Sequence, residues 1–184
     1  MKLFFGLGNP GTKYQNTRHN VGQTLIKKYV ETFCKTSLQN KNKLNSKIAE
    51  INHNFFAVST EYMNNSGVSV KKVADYYKIP PENIYLIHDD LDLGVGEWKL
   101  QFNRGPAGHN GVISTIEHLG TQAFWRIRIG IDHPQNGEAA FDAVEDYVLR
   151  PFTKEEKVII AETTDKITRS VIPDLIRDPP QLGH

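Results

Sequence analysis

Apolar residues along this chain change rhythm several times, and each change marks an element. Residues 2–7 form a nearly unbroken apolar run that predicts a buried first strand, ended by the helix-breaking Asn9-Pro10-Gly11 turn. Val21, Leu25, Tyr29, Val30 and Phe33 then recur at helical spacing. Residues 35–46 are polar and predict an exposed loop. Residues 47–52 and 55–60, parted by His53-Asn54, predict a strand pair. Ser66 is placed to cap a helix carrying Val70, Val73, Ala74 and Tyr77, which Pro80-Pro81 stops. Two short strands follow at 84–87 and 97–102. A helix over about 109–119 comes next, with Gly120 as its left-handed terminator. Residues 125–131 predict a strong strand with Arg126 and Arg128 alternating along it, and 139–149 and 154–170 predict helices. Thr153 and Glu156 stand at capping-box spacing before the second of these.

Strands alternating with helices predict α/β architecture: one three-layer α/β/α domain over 1–184, around a central twisted mixed sheet. No internal repeat or interdomain linker interrupts it. Residues 172–184 contain Pro173, Pro179 and Pro180, and are expected to form an irregular tail.

Composition narrows the chemistry. At 184 residues and 39% hydrophobic, the chain is suited to one sizeable core. A net charge of +1 excludes a general polyelectrolyte attraction to nucleic acid or membrane. The charge is unevenly spread, however, because residues 13–47 hold eight Lys or Arg against the single acid Glu31. That stretch is either a solvated lysine face or a local phosphate contact. The lone Cys34 excludes an internal disulfide and a thiolate cluster, and its place on an apolar helix face predicts a buried structural thiol. The N-terminal Leu3-Phe4-Phe5 run is too short for a signal peptide and no long apolar segment is present, so a cytoplasmic location is expected.

Four polar patches sit at predicted strand ends: Gly6 to Gly11 running on to Tyr14 and Arg18-His19-Asn20; Tyr62 to Gly67; His88-Asp89-Asp90-Leu91-Asp92; and Gly108-His109-Asn110-Gly111. Imidazoles, carboxylates and carboxamides at four strand exits point to one shared hydrolytic or proton-transfer site. His19 has the side-chain chemistry of a general base, and Asp89 or Asp90 can supply the carboxylate that orients it. His88, His109 and His133 remain competitors. Asn9, Asn64, Asn65 and Asn110 offer neutral donors and acceptors suited to ester and peptide groups, and Tyr14 and Tyr62 can stack on a base or sugar or pack as core aromatics. His19, Asp89, Asp92 and His109 match no compact metal motif, and the carboxamides beside them are poor transition-metal ligands, so no metal is expected. Gly6, Gly8 and Gly11 mimic a dinucleotide fingerprint, but Pro10 removes a donor and no helix is predicted directly after Gly11.

Taken together, these patches resemble the bacterial-type peptidyl-tRNA hydrolase family. The resemblance rests on Gly6 to Gly11, Tyr14, Thr17 to Gly22, Met63 to Gly67, His88 to Leu93, Gly108 to Gly111 and Arg126 to Ile131 with His133-Pro134, in order over about residues 1–155. It implies a monomeric α/β/α esterase, without cofactor or metal, that cleaves the bond between a peptide and the 3′ end of tRNA. Under this resemblance His19 becomes the base that activates water, and Asp89 stabilises its basic form. Asn9 separates N-blocked from unblocked substrates. Tyr14, Tyr62, Met63, Asn64 and Asn110 line the tRNA end or peptide.

Several positions depart from the family pattern. Pro106-Ala107 stiffen a usually glycine-rich approach to Gly108, and Tyr62 stands where phenylalanine is common. Gln101 replaces a frequent basic residue, with Lys99, Arg104 and Arg128 nearby in sequence, and Ile172-Pro173-Asp174 interrupts what is normally a longer helix. A non-catalytic RNA-binding protein on the same scaffold is the alternative reading, and a metal- or nucleotide-dependent hydrolase a third. RNA binding alone has no need of a paired base.

Overall fold

The computed structural model describes residues 1–134 and 141–177. Leu3, Phe4 and Phe5 have side chains on both faces of a strand and all are wholly buried, as a central parallel strand requires. That strand, β1 (Leu3–Gly6), lies between β4 (Asn54–Ser59) and β5 (Ile84–Asp90), parallel to both. Beyond β5 come β7 (Trp125–Gly130), also parallel, and β6 (Trp98–Phe102), antiparallel at the edge. On the other side β3 (Ser46–Ile51) and β2 (Gln39–Lys41) add antiparallel strands, giving a seven-stranded mixed sheet in the order β2-β3-β4-β1-β5-β7-β6.

Alternating side chains of β1 build a separate core on each face. Phe4 stacks on its register partners Phe56 and Tyr85, with ring centroids 5.1 and 4.9 Å away, in a core closed by α1 (Val21–Lys28), α5 (Lys154–Lys166) and α6 (Ile172–Arg177). Leu3, Phe5 and Leu7 face the opposite core beneath α2 (Ser66–Tyr77) and α3 (Asn110–Leu119). These two helices meet closely at Gly67, where an added Cβ would lie 2.0 Å from the Ser114 carbonyl oxygen. The three-layer α/β/α expectation holds. α4 (Phe141–Leu149) precedes α5, whose Thr153–Glu156 capping box forms as the sequence predicts.

Four local expectations change. Residues 35–46 are not a plain loop: Gln39–Lys41 pairs with β3, and Leu44 and Ser46 are buried. Ser66 does not cap α2. A 3-10 turn at Met63–Asn65 runs straight into the helix, so Ser66 is its first residue and is wholly buried. The strand predicted at 84–87 continues to Asp90 because Asp89 and Asp90 keep ladder partners in Ile129 and Gly130. The tail is not irregular from 172: a π-helical turn at Ile167–Val171 leads into α6. Pro173 is the second residue of α6, directly after that π-helical turn. Burial of Ile167, Ile172 and Leu175 holds this segment down, and the Lys2 ammonium bonds the carbonyls of Leu175 and Ile176. Residues 178–184 of the expected tail lie outside the described residues.

The strands β1, β4, β5 and β7 run in the same direction, so their C-terminal ends open on one edge, where α/β folds gather ligand-binding loops. After β1 the chain forms two short 3-10 turns, Thr12–Tyr14 and Arg18–Asn20, before α1 begins. Only a three-residue 3-10 turn follows Gly11 and the α-helix waits until Val21, so no helix N-terminus of the dinucleotide-binding kind forms at the glycines. Gly22 sets how close α1 comes: an added Cβ would lie 2.1 Å from the Ile87 carbonyl oxygen. That approach, sealed by Gln23 N–H to Leu7 O and Leu7 N–H to Ile87 O at 2.9 Å each, seats the preceding turn over the end of β5.

Candidate active site

His19, on the turn before α1, and Asp89, near the end of β5, meet where β1 and β5 lie side by side. His19 Nδ1 lies 3.0 Å from each Asp89 oxygen, with His19 8% exposed and Asp89 1% exposed. An ionised carboxylate only accepts hydrogen bonds, so the proton sits on Nδ1 and the Nε2 lone pair is left for chemistry. Among the described residues nothing bonds Nε2. Asp90, the other candidate partner, is used elsewhere: it accepts from Arg128 Nε at 2.6 Å and from the Asp92 N–H at 3.0 Å.

Asp89 holds a second imidazole. His109 caps α3, and its Nδ1 accepts from the N–H groups of Gly111 at 3.1 Å and Val112 at 3.4 Å. Its proton is therefore on Nε2, which donates to Asp89 Oδ1 at 3.0 Å. The ligand atoms of His19, Asp89 and His109 all lie within 4.8 Å of one another, a donor set that by composition suits a divalent cation. The tautomer argues against that use, because a protonated Nε2 has no lone pair to give a metal. The trio fits a proton network. Burial pushes the Asp89 carboxyl up, but His19 and His109 pull it down further, leaving it well below the usual carboxylate range.

His88 is not a second base. Its Nδ1 donates to the Asp89 carbonyl oxygen at 2.6 Å, and burial, helped by His109, holds its pKa well below the ordinary value. His133 is exposed, 3.5 Å from Asp92.

Asn9 stands beside this trio in a fixed orientation. Asn20 clasps its backbone twice, accepting from Asn9 N–H at 2.8 Å and donating to Asn9 O at 2.9 Å. The Asn9 side-chain oxygen accepts from Met63 N–H at 2.8 Å. A backbone N–H only donates, so the amide cannot be turned the other way, and Asn9 Nδ2 is the group left without a partner among the described residues. Met63 is buried, and Tyr62 beside it is 54% exposed. The Tyr62 ring meets Tyr14 edge-on at 6.3 Å, and the Lys13 ammonium lies 4.6 Å from the centre of the Tyr14 ring. Asn64 and Asn110 are exposed at the starts of the adjoining helical segments.

The model of a family described as peptidyl-tRNA hydrolase matches residues 3–179. The chain belongs to the peptidyl-tRNA hydrolase family. It is 43% identical over 172 residues to a peptidyl-tRNA hydrolase of Rickettsia bellii, covering 91% of this chain and 90% of the relative. It is 47% identical over 156 residues to one of Aliarcobacter butzleri, covering 85% and 82%. The structure superposes on that of peptidyl-tRNA hydrolase from Acinetobacter baumannii with a TM-score of 0.85 at 31% identity, covering 96% of this chain and 89% of the other.

Seen as a peptidyl-tRNA hydrolase fold, the basic residues near the site are more committed than their sequence positions imply. Arg128 is occupied by Asp90 and by the side-chain oxygen of Gln101, so it is not a free cation. Arg126 is wholly buried. Its Nη1 donates to the Gly105 carbonyl at 3.1 Å, and burial first, then Arg104 and Arg128, push its pKa down to about 10. That bond ties down the loop before α3, in which Ala107 adopts a left-handed φ of 49°. Lys99 is exposed and Arg104 half-buried, so both stay open to solvent.

Two supports escaped the sequence reading. Asn20 signals itself only as the residue after His19. Arg18 is buried, with Nη2 on both Glu156 oxygens at 2.9 and 2.7 Å and Nη1 on the carbonyls of Arg150 and Pro151, while its guanidinium lies 4.2 Å from the Tyr147 ring centre. It locks the His19 turn to the start of α5. Arg18 is buried and Glu156 only partly so, and removing the carboxylate leaves the guanidinium without its counter-charge.

Proposed function

We propose that this protein hydrolyses the ester between an N-blocked aminoacyl or peptidyl group and the 3′ end of tRNA, with no metal ion. The observation that carries the reading is the His19 Nδ1 contact of 3.0 Å with Asp89, which leaves Nε2 free to act as a base. His19 Nε2 takes a proton from water as the oxygen attacks the ester carbonyl carbon. The carbonyl becomes an oxyanion, which neutral amide donors such as Asn9 Nδ2, Asn64 and Asn110 are suited to stabilise. Collapse breaks the bond to the ribose oxygen, which recovers the proton from the imidazolium. Asp89 supports that cation and fixes the tautomer. An aminoacyl ester is already activated, so general-base assistance, worth on the order of 10² to 10⁴ in rate, needs no covalent intermediate.

Tyr14 and Tyr62 offer faces for the terminal base or sugar, and Met63 and Asn64 continue toward the peptide. The test is release of N-acetylated amino acid from tRNA with EDTA present throughout. Full turnover is expected, and activity abolished by the chelator and restored by a divalent cation would overturn the metal-free mechanism. A non-catalytic RNA-binding protein would show tRNA binding with no release at all.

Asn9 supplies selectivity in this reading. A free aminoacyl amine tends to be cationic, and an amide donor fixed by Met63 cannot turn its oxygen to solvate it. Asn9→Ala is therefore expected to reduce the preference for N-acylated over free aminoacyl-tRNA by about tenfold. The ratio of the two kcat/KM values measures this, and an unchanged ratio removes Asn9 from the selectivity role.

A further inference from the structure

Two imidazoles share one buried carboxylate, and only one of them has a nitrogen free for substrate. We propose that His109 is a positioning residue that sets how much of the Asp89 charge reaches His19, keeping the acid limb of the reaction at lower pH than a lone His–Asp pair would. The inference rests on His19 acting as the base.

The geometry fixes the direction of the effect. His109 Nε2–H donates to Asp89 Oδ1, one of the two oxygens that His19 Nδ1 contacts. Each donor to a carboxylate draws off charge that would otherwise stabilise the imidazolium of the other. His109 is held in this role from behind, because its Nδ1 receives the first amides of α3, at the positive end of a ten-residue helix. Those amides draw electron density toward Nδ1 and sharpen Nε2–H as a donor. They also oppose protonation of Nδ1, which would put a proton against two N–H groups. His109 is thereby held with its Nε2–H toward Asp89.

The remaining charges around the carboxylate are settled. From the His19 turn, Arg18 is neutralised by Glu156 of α5. From β5, His88 donates to the Asp89 carbonyl oxygen, and Asp90 is paired with Arg128 of β7 at 2.6 Å. Arg126 of β7 is a constant cation held on Gly105. From α1 and the turn before it, the neutral Asn20 and Gln23 face Asn9 and Gly8. The balance between His19 and His109 on Asp89 is what remains to be tuned.

His109→Asn separates capping from tuning. Asparagine is a good N-cap and can still accept from the first amides of α3, but its shorter side chain does not reach Asp89. The variant is expected to keep the wild-type Tm. Its acid limb of kcat/KM for N-acetylaminoacyl-tRNA should move about one unit to higher pH, so that activity below the limb falls about tenfold at a given pH. The imidazole at position 19, followed by NMR in the ligand-free protein, should move the same way. A folded variant with both profiles unchanged reduces His109 to a helix cap and overturns the proposal. Should the variant not fold, ¹⁵N NMR of the wild-type imidazoles decides: a bare Nδ1 and protonated Nε2 at His109 supports it, and the opposite tautomer or a cationic ring at neutral pH overturns it. The titration needs no turnover, so an active His19→Ala variant would remove the base assignment while leaving the coupling result standing.

Discussion

His19→Ala is expected to lower turnover of N-acetylaminoacyl-tRNA by about 10³-fold or more while changing tRNA affinity only a few-fold. The imidazole is almost buried and its one described hydrogen-bonding partner is Asp89, so little binding surface is lost with it. Single-turnover release and equilibrium binding, measured on one preparation, separate the two effects. Equal losses in both would make His19 a structural residue whose removal collapses the turn before α1, and thermal melting would show that collapse directly.

Asp89→Asn is expected to cost on the order of 10² to 10⁴ in kcat with little change in KM, because the damage falls on the reacting state. A carboxylate accepts from both imidazoles at once. With the amide oxygen at the Oδ1 place both imidazoles keep an acceptor, but His19 Nδ1–H then faces an N–H donor where Oδ2 stood. The charge that supports the imidazolium is gone as well. Any residual acid limb should therefore move to lower pH, opposite in sign to the His109→Asn shift. The native carboxyl lies well below the usual range and stays ionised wherever the enzyme works, so the wild-type limb does not report on Asp89 itself. A limb that moved upward in Asp89→Asn would contradict the assigned roles.

The sequence was most legible where a single physical pattern decided the outcome. The apolar run into β1, the strand pair β3 and β4, and the Thr153–Glu156 box all formed where periodicity and capping chemistry placed them. It was least legible where tertiary partners outweighed local signals. Gln39–Lys41 carries no apolar alternation and is a strand because β3 offers it an edge. Ser66 has the chemistry of a cap, but the preceding turn already continues the helical path. Pro173 marks a helix break, yet burial of Ile172 and Leu175 carries the helix through it.

The site divided along the same line. Facing loops at strand ends made the meeting of His19 with an aspartate foreseeable, and Asp89 rather than Asp90 follows from β5 continuing one residue past it to meet Arg128. Arg128 looked available for phosphate because pairing across strands is invisible in one sequence. His109 looked like a rival base. Its actual place depends on which nitrogen the first amides of α3 occupy, a matter of atoms that spacing does not encode.

The Arg18 clamp ties function to the order in which the chain is made. Its partners, Arg150, Pro151 and Glu156, lie 132 to 138 residues downstream, and they fix the turn that bears His19. During synthesis the imidazole and Asp89 both leave the ribosome well before those partners exist. The clamp on the His19 turn therefore cannot close until residue 156 has been added, although the imidazole and Asp89 it serves come far earlier in the chain.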